Sequence, residues 1–176
     1  MRARTAFALV VVFLLSGCGP PQKYRTADEV YTKTISTHDA YKKATWVKSP
    51  TVRVYHPYQT PYSTGYSDLL LRTLVVEGRS EFHQLYVTFY GYDWIFFNRA
   101  YDINGNQLKF TKIDRVVASL GIQEDFVITL AEDYLESATK SGLNIKFVGK
   151  RGERVVTLGP HYVEGYLKKY RKLTSR

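Results

Sequence analysis

Short runs of alternating apolar and polar residues, each closed by a turn-forming group, most limit the folds open to this chain. Side chains along a strand point to opposite faces in turn, so this alternation predicts half-buried strands. The clearest case is Trp94 to Ile103 followed by Gln107 to Val117, with Asn104-Gly105 between them. Asn-Gly suits the positive φ values of a type I′ turn and predicts a β-hairpin. Strands are also predicted over Val30 to Ser36, Thr45 to Tyr55, Leu69 to Glu77, Glu81 to Tyr90 and Ile122 to Leu130. Leu143 to Phe147 and Arg154 to Leu158 make a second hairpin around Gly149-Lys150-Arg151-Gly152. Pro57 to Ser67 carries prolines and a glycine and reads as a long loop.

Two short helices complete the pattern. Thr129-Leu130-Ala131-Glu132 has the form of a capping box and predicts a helix over about 130–141, which Gly142 ends. Pro160 opens a second, over about 160–172, with Val163, Tyr166, Leu167 and Tyr170 on one stripe. About eight or nine short strands with two short helices predict a mainly β, antiparallel, two-layer β-sandwich-like domain. The alternative is an α+β layer with the helices packed on one antiparallel sheet.

The N-terminus is organised differently. Arg2 and Arg4 precede an apolar run from Ala6 to Leu15, and small residues follow. A spanning helix needs roughly 20 apolar residues, so this shorter run reads as an export signal removed after use. Leu15-Ser16-Gly17-Cys18 resembles the lipobox of bacterial lipoproteins. The resemblance implies cleavage before Cys18, a covalent lipid on its thiol and acylation of the new amino group. It also implies the outer membrane, facing the periplasm, in a cell with two membranes, because Gly19 follows Cys18 where inner-membrane retention is associated with Asp. The expected organisation is residues 1–17 as signal peptide, 18–27 as a lipidated tether and 28–176 as one β-rich domain.

Cys18 is the only cysteine, so its acylation would leave no thiol for catalysis, disulfides or metal. Loss of Arg2 and Arg4 leaves 23 basic and 16 acidic residues, a net charge of +7, all of it within Leu143 to Arg176. Nucleic acid is the usual partner of such a basic end. Export makes anionic lipid, an envelope polymer or a protein partner the better expectation.

His38, His56, His83 and His161 lack the paired spacing of a zinc site, and no metal or cofactor is expected. There is no Gly-x-Ser-x-Gly elbow, and Gly149-Lys150-Arg151-Gly152 lacks the spacing of a phosphate-binding loop. No catalytic residue is therefore assigned. Candidate binding residues are Tyr58, Tyr62, Tyr66, Tyr92 and Trp94, whose flat rings suit glycans or proteins. Lys150 and Arg151 at the hairpin tip, with Lys168, Lys169, Arg171 and Lys172 near the C-terminus, form the basic candidates. The expected function is a lipid-anchored, non-catalytic binding or assembly module of a bacterial envelope. The alternatives are a glycan or peptidoglycan binder using surface tyrosines, and a hydrolase built on a histidine and a carboxylate.

Overall fold

In the computed structural model, residues 24–56, 65–76, 82–118 and 121–174 are described; Cys18, Tyr58 and Tyr62 lie outside them. The order is α1 Ala27–Lys33, β1 Ile35–Asp39, β2 Ala44–Lys48, β3 Val52–His56, β4 Gly65–Val76, β5 Phe82–Gly91 and β6 Phe97–Asp102. It continues with β7 Gln107–Ala118, β8 Gly121–Leu130, α2 Glu132–Ser141, β9 Leu143–Gly149, β10 Gly152–Leu158 and α3 Pro160–Thr174. The domain is mainly β, with ten antiparallel strands in one sheet ordered β1-β2-β4-β5-β8-β7-β6-β9-β10, and β3 pairs with the first half of β4.

Register makes one face of this sheet the core. Leu69, Leu71 and Thr73 of β4 lie opposite Val87, Leu85 and His83 of β5. Those β5 residues lie in turn opposite Phe126, Ile128 and Leu130 of β8. All nine are buried, and each large apolar side chain contributes about 1.5–3 kcal/mol by leaving water. The sheet then curls. Strand β7 pairs with β8 over Lys109–Ala118, has a bulge between Lys112 and Asp114, and pairs with β6 only through Gln107 and Leu108. Bulges bend and twist a strand. The curl brings Phe97 of β6 within 5.2 Å of Phe126 and 5.3 Å of Phe89, and Phe147 of β9 within 5.0 Å of Phe126, ring centre to ring centre. Two parts of one sheet thus face each other across an aromatic core.

Helix α3 covers the remaining core through Tyr162, Val163, Tyr166, Leu167 and Tyr170, the stripe read from the sequence. Its Gly165 lies where an added Cβ would be 2.3 Å from the Ala27 carbonyl oxygen, so glycine permits the close crossing of α1 over α3. No described helix is long and apolar enough to cross a membrane.

Several expectations are corrected. Among the described residues there are three helices rather than two: Val30 to Lys33, expected in a strand, belong to α1. The Thr26 hydroxyl caps this helix by accepting from the Glu29 N–H at 3.2 Å, and burial of Val30 fixes it. Its β-branched and aromatic residues disguise the helix, because tertiary packing overrides their propensity. The expected strand Thr45 to Tyr55 divides at Ser49-Pro50 into β2 and β3. Gly65, Tyr66 and Ser67, read as loop, open β4. Thr129 remains in β8, and α2 begins at Glu132 without a side-chain cap at Ala131. Of the Asn104-Gly105 pair only Gly105 takes a positive φ, 84°, so the pair forms no type I′ turn. The hairpin forms nonetheless, because Asp102 Oδ1 accepts from the Asn104 and Asn106 N–H groups at 2.9 and 2.8 Å. The packed domain reaches back into the segment read as tether, since Tyr24 is buried and contacts Tyr162.

Candidate functional site

The most highly determined surface lies where β5 passes into β6. Glu124 sits on the inward-facing side of β8 and is 1% exposed. Its carboxylate accepts the backbone N–H groups of Ile95, Phe96 and Phe97 at 2.7, 2.8 and 3.1 Å. It also pairs with Arg115 Nε at 2.9 Å, and Arg115 Nη2 donates to the Phe97 carbonyl at 2.7 Å. Four charge-assisted bonds offset the desolvation of a buried carboxylate.

This anchorage holds Phe96 at φ 58°, a conformation that bulky residues rarely adopt. Such a backbone persists only where its surroundings over-determine it, and it concentrates at functional sites. Ile95 and Phe97 on either side are buried, while Phe96 remains half-exposed. Its ring stacks on Trp94 with centroids 5.9 Å apart and planes at 28°. The guanidinium carbons of Arg115 and Arg151 lie 5.2 and 5.4 Å from the Phe96 ring centre. The β9–β10 tip is fastened to the same loop by Arg151 N–H donating to the Ile95 carbonyl at 3.1 Å. Among the described residues, the exposed Arg151 guanidinium has no carboxylate partner. The assembly is a fixed pair of aromatic rings flanked by two cations, suited to an anionic group beside an apolar or flat body.

This cluster unites Trp94 with Arg151; Lys150 adjoins Arg151 in the chain, and Tyr92 lies two residues before Trp94. Tyr92 is 65% exposed. The other candidates lie elsewhere. Tyr66 stacks on Tyr90 at 4.7 Å and carries the Arg53 guanidinium at 4.1 Å, so both neighbours compete with a glycan for its ring. Lys168, Lys169 and Lys172 surround the Tyr31 ring at 5.4, 5.0 and 5.9 Å, and the hydrogen bond from Lys172 holds that phenol below its usual range. Lys168 is also paired with Asp28, and Arg171 with Glu132 and Glu136. The helix's charges are thus partly spent on its neighbours.

Phe96, Arg115 and Glu124 are the site residues that sequence reasoning missed. Glu124 left a trace: it falls in phase with buried Ile122, Phe126, Ile128 and Leu130. A carboxylate in that phase must find buried donors.

Two histidines meet hydroxyls inside the core. His56 Nε2 is 2.8 Å from Ser67 Oγ, and His83 Nδ1 is 2.5 Å from Thr73 Oγ1. Glu132 stands 3.8 Å from His83 Nε2, and the Tyr166 hydroxyl 3.2 Å from Nδ1. Ser67 and Thr73 are 1% and 0% exposed, so neither hydroxyl meets a substrate in this arrangement. His38 bonds Thr45 at the β1 edge, and His161 donates to the Tyr24 carbonyl. Among the described residues no group of three His, Cys, Asp or Glu is placed to hold a metal ion.

Burial depresses both core imidazoles. His56 falls from 6.5 to about 4, chiefly by desolvation and then by the Arg154 charge. His83 is lowered by desolvation and Arg171, against the opposing influence of Glu132. A folded-state pKa below the unfolded one means that the unfolded chain binds more protons, so stability is full above pH 6.5 and lost as pH falls toward 4. The slope for one such group is about 1.4 kcal/mol per pH unit. Urea melts from pH 7.5 to 4.5 should show a falling midpoint, with a shallower fall in His56→Gln. Equal slopes in both proteins would exclude His56 as a source.

Comparison with known proteins gives no match: no protein family, curated protein or solved structure is similar to this chain.

Proposed function

We propose that the chain is a lipid-anchored bacterial envelope protein acting as a non-catalytic binding or assembly module, with Trp94, Phe96 and Arg151 at its recognition surface. The observation that carries this reading is the Phe96 backbone, held at φ 58° by a buried carboxylate that takes three successive N–H groups. Core packing alone gives no reason to hold a half-exposed ring so firmly. Rigid aromatic and arginine side chains are the usual anchors of protein interfaces, because little entropy is lost when they bind. Burial of Ser67 and Thr73 beside their imidazoles favours binding over hydrolysis.

The anchor rests on Leu15-Ser16-Gly17-Cys18. Because Tyr24 is already packed, the leash from Cys18 reaches only about 20 Å at roughly 3.3–3.6 Å per residue. The recognition surface would work close to the bilayer, on the periplasmic side of an outer membrane where the cell has one. Two or more acyl chains hold such a protein stably, whereas one holds it marginally. Cys18→Ser should leave the membrane fraction while retaining the wild-type melting curve. Its continued fractionation with membranes, without acylation, would contradict lipid anchoring. Crosslinking in cells should recover a stoichiometric partner, and repeated recovery of the protein alone would contradict the assembly role.

A further inference from the structure

The outer face of β6, β9 and β10 carries a groove of about 530 Å³ that is separate from the aromatic cluster. Register builds its floor: Arg99 pairs with Val148 and Tyr101 with Lys146, while Glu153 and Val155 of β10 stand opposite Val148 and Lys146. Ile103 and Asn144 mark one end. The other end runs toward Gly149 and the tip that places Arg151 on Phe96. Ile103, in the lining, is 75% exposed, and Val155, opposite Lys146 on β10, is 51% exposed.

We propose that this groove receives an extended, acidic peptide segment of a partner protein; the inference rests on the binding-module reading and names its partner's chemistry. The formal charges of the lining cancel, Arg99 and Lys146 against Asp102 and Glu153, and the cation left without a carboxylate selects an acidic occupant. Asp102 is engaged by Asn104 and Asn106, and Glu153 is met by Lys146 at 3.5 Å. Arg99 has no carboxylate partner among the described residues, and Arg151 lies beyond the groove end in the same condition. The texture selects a peptide over a sugar. On the outward face Lys146 precedes Val148 along β9 and Glu153 precedes Val155 along β10, so each strand sets a charged and an apolar side chain two residues apart, the spacing of about 6.6–6.8 Å at which an extended peptide presents its own. A glycan would seek flat rings, and the groove offers only Tyr101. Strand β10 also ends the sheet and pairs only with β9 among the described strands, which leaves its outer edge for a main chain to follow.

The full-length protein in detergent should bind immobilised poly-L-glutamate at low salt and bind polygalacturonate at least tenfold more weakly. Arg99→Glu combined with Lys146→Glu should weaken poly-L-glutamate binding by tenfold or more, and Ile103→Asp should weaken it separately. Both variants change exposed side chains and should keep the wild-type melting curve. Lys169→Glu combined with Lys172→Glu, on the α3 face, should change binding less than twofold. Equal or tighter binding of polygalacturonate would make the ligand a glycan and overturn the proposal. Loss of binding only in the α3 variant would overturn it in favour of that face. Absence of poly-L-glutamate binding beside recovery of a cellular partner would overturn the groove assignment while leaving the binding module standing.

Discussion

Glu124→Ala should lower the stability of the domain by about 4 kcal/mol, the range found when one partner of a buried ion pair is removed. The substitution leaves the N–H groups of Ile95, Phe96 and Phe97 without their acceptor and Arg115 without its carboxylate. A buried donor deprived of its partner costs about 1–3 kcal/mol, and the loop can recover part of that by opening to water. Opening frees Phe96 from φ 58° and separates its ring from Trp94. For a domain of this length, about 4 kcal/mol corresponds to a fall in Tm of roughly 10 °C. Glu124→Gln retains an acceptor oxygen but sets an amide against the backbone donors, and should cost about half as much. Denaturant melts give the free energy, and Trp fluorescence gives the opening of the loop. A loss below about 1 kcal/mol for the alanine variant would mean that the carboxylate does not hold the loop.

The parts of the fold legible in the sequence are those whose cause is local. Leu69 and Leu71, and Leu85 and Val87, alternate with polar or half-exposed neighbours, so one period-two rule recovers β4 and β5, whereas β8 is legible as an apolar, β-branched run in which Val127 is buried along with Phe126 and Ile128. The α3 stripe and Pro160 at its start were legible for the same reason. Helix α1 was not, because seven residues containing Val30, Tyr31 and Thr32 have weak helical preference and depend on packing against α3. The curl of the sheet was also hidden, since β7 pairs with β6 through Gln107 and Leu108 alone and with β8 along the rest of its length, and no turn residue announces the bulge between Lys112 and Asp114. The site divides in the same way. Trp94, Lys150 and Arg151 were visible as residue types suited to binding. Phe96 was not, because a positive φ without glycine is imposed by Glu124 from a strand 28 residues along the chain. Lys168, Lys169, Arg171 and Lys172 read in the sequence as a basic face, and the partners that engage them, Tyr31 and Asp28 for the lysines and Glu136 for Arg171, come from distant parts of the chain.

The second large effect is expected in recognition rather than stability. Phe96→Ala with Arg151→Ala removes one half-exposed ring and one exposed cation, leaving Glu124, Arg115 and the buried Ile95 and Phe97 in place. Its urea midpoint should therefore remain near wild type. Hot-spot aromatic and arginine side chains cost about 2–4 kcal/mol each when truncated, so the pair should reduce affinity by more than about a hundredfold. The decisive measurement is quantitative crosslinking in intact cells, comparing this double variant with wild type at equal expression and equal membrane fractionation. Recovery of the partner should fall to background while the melting curve is unchanged; wild-type recovery from the folded, anchored variant would contradict a recognition surface built on Phe96 and Arg151.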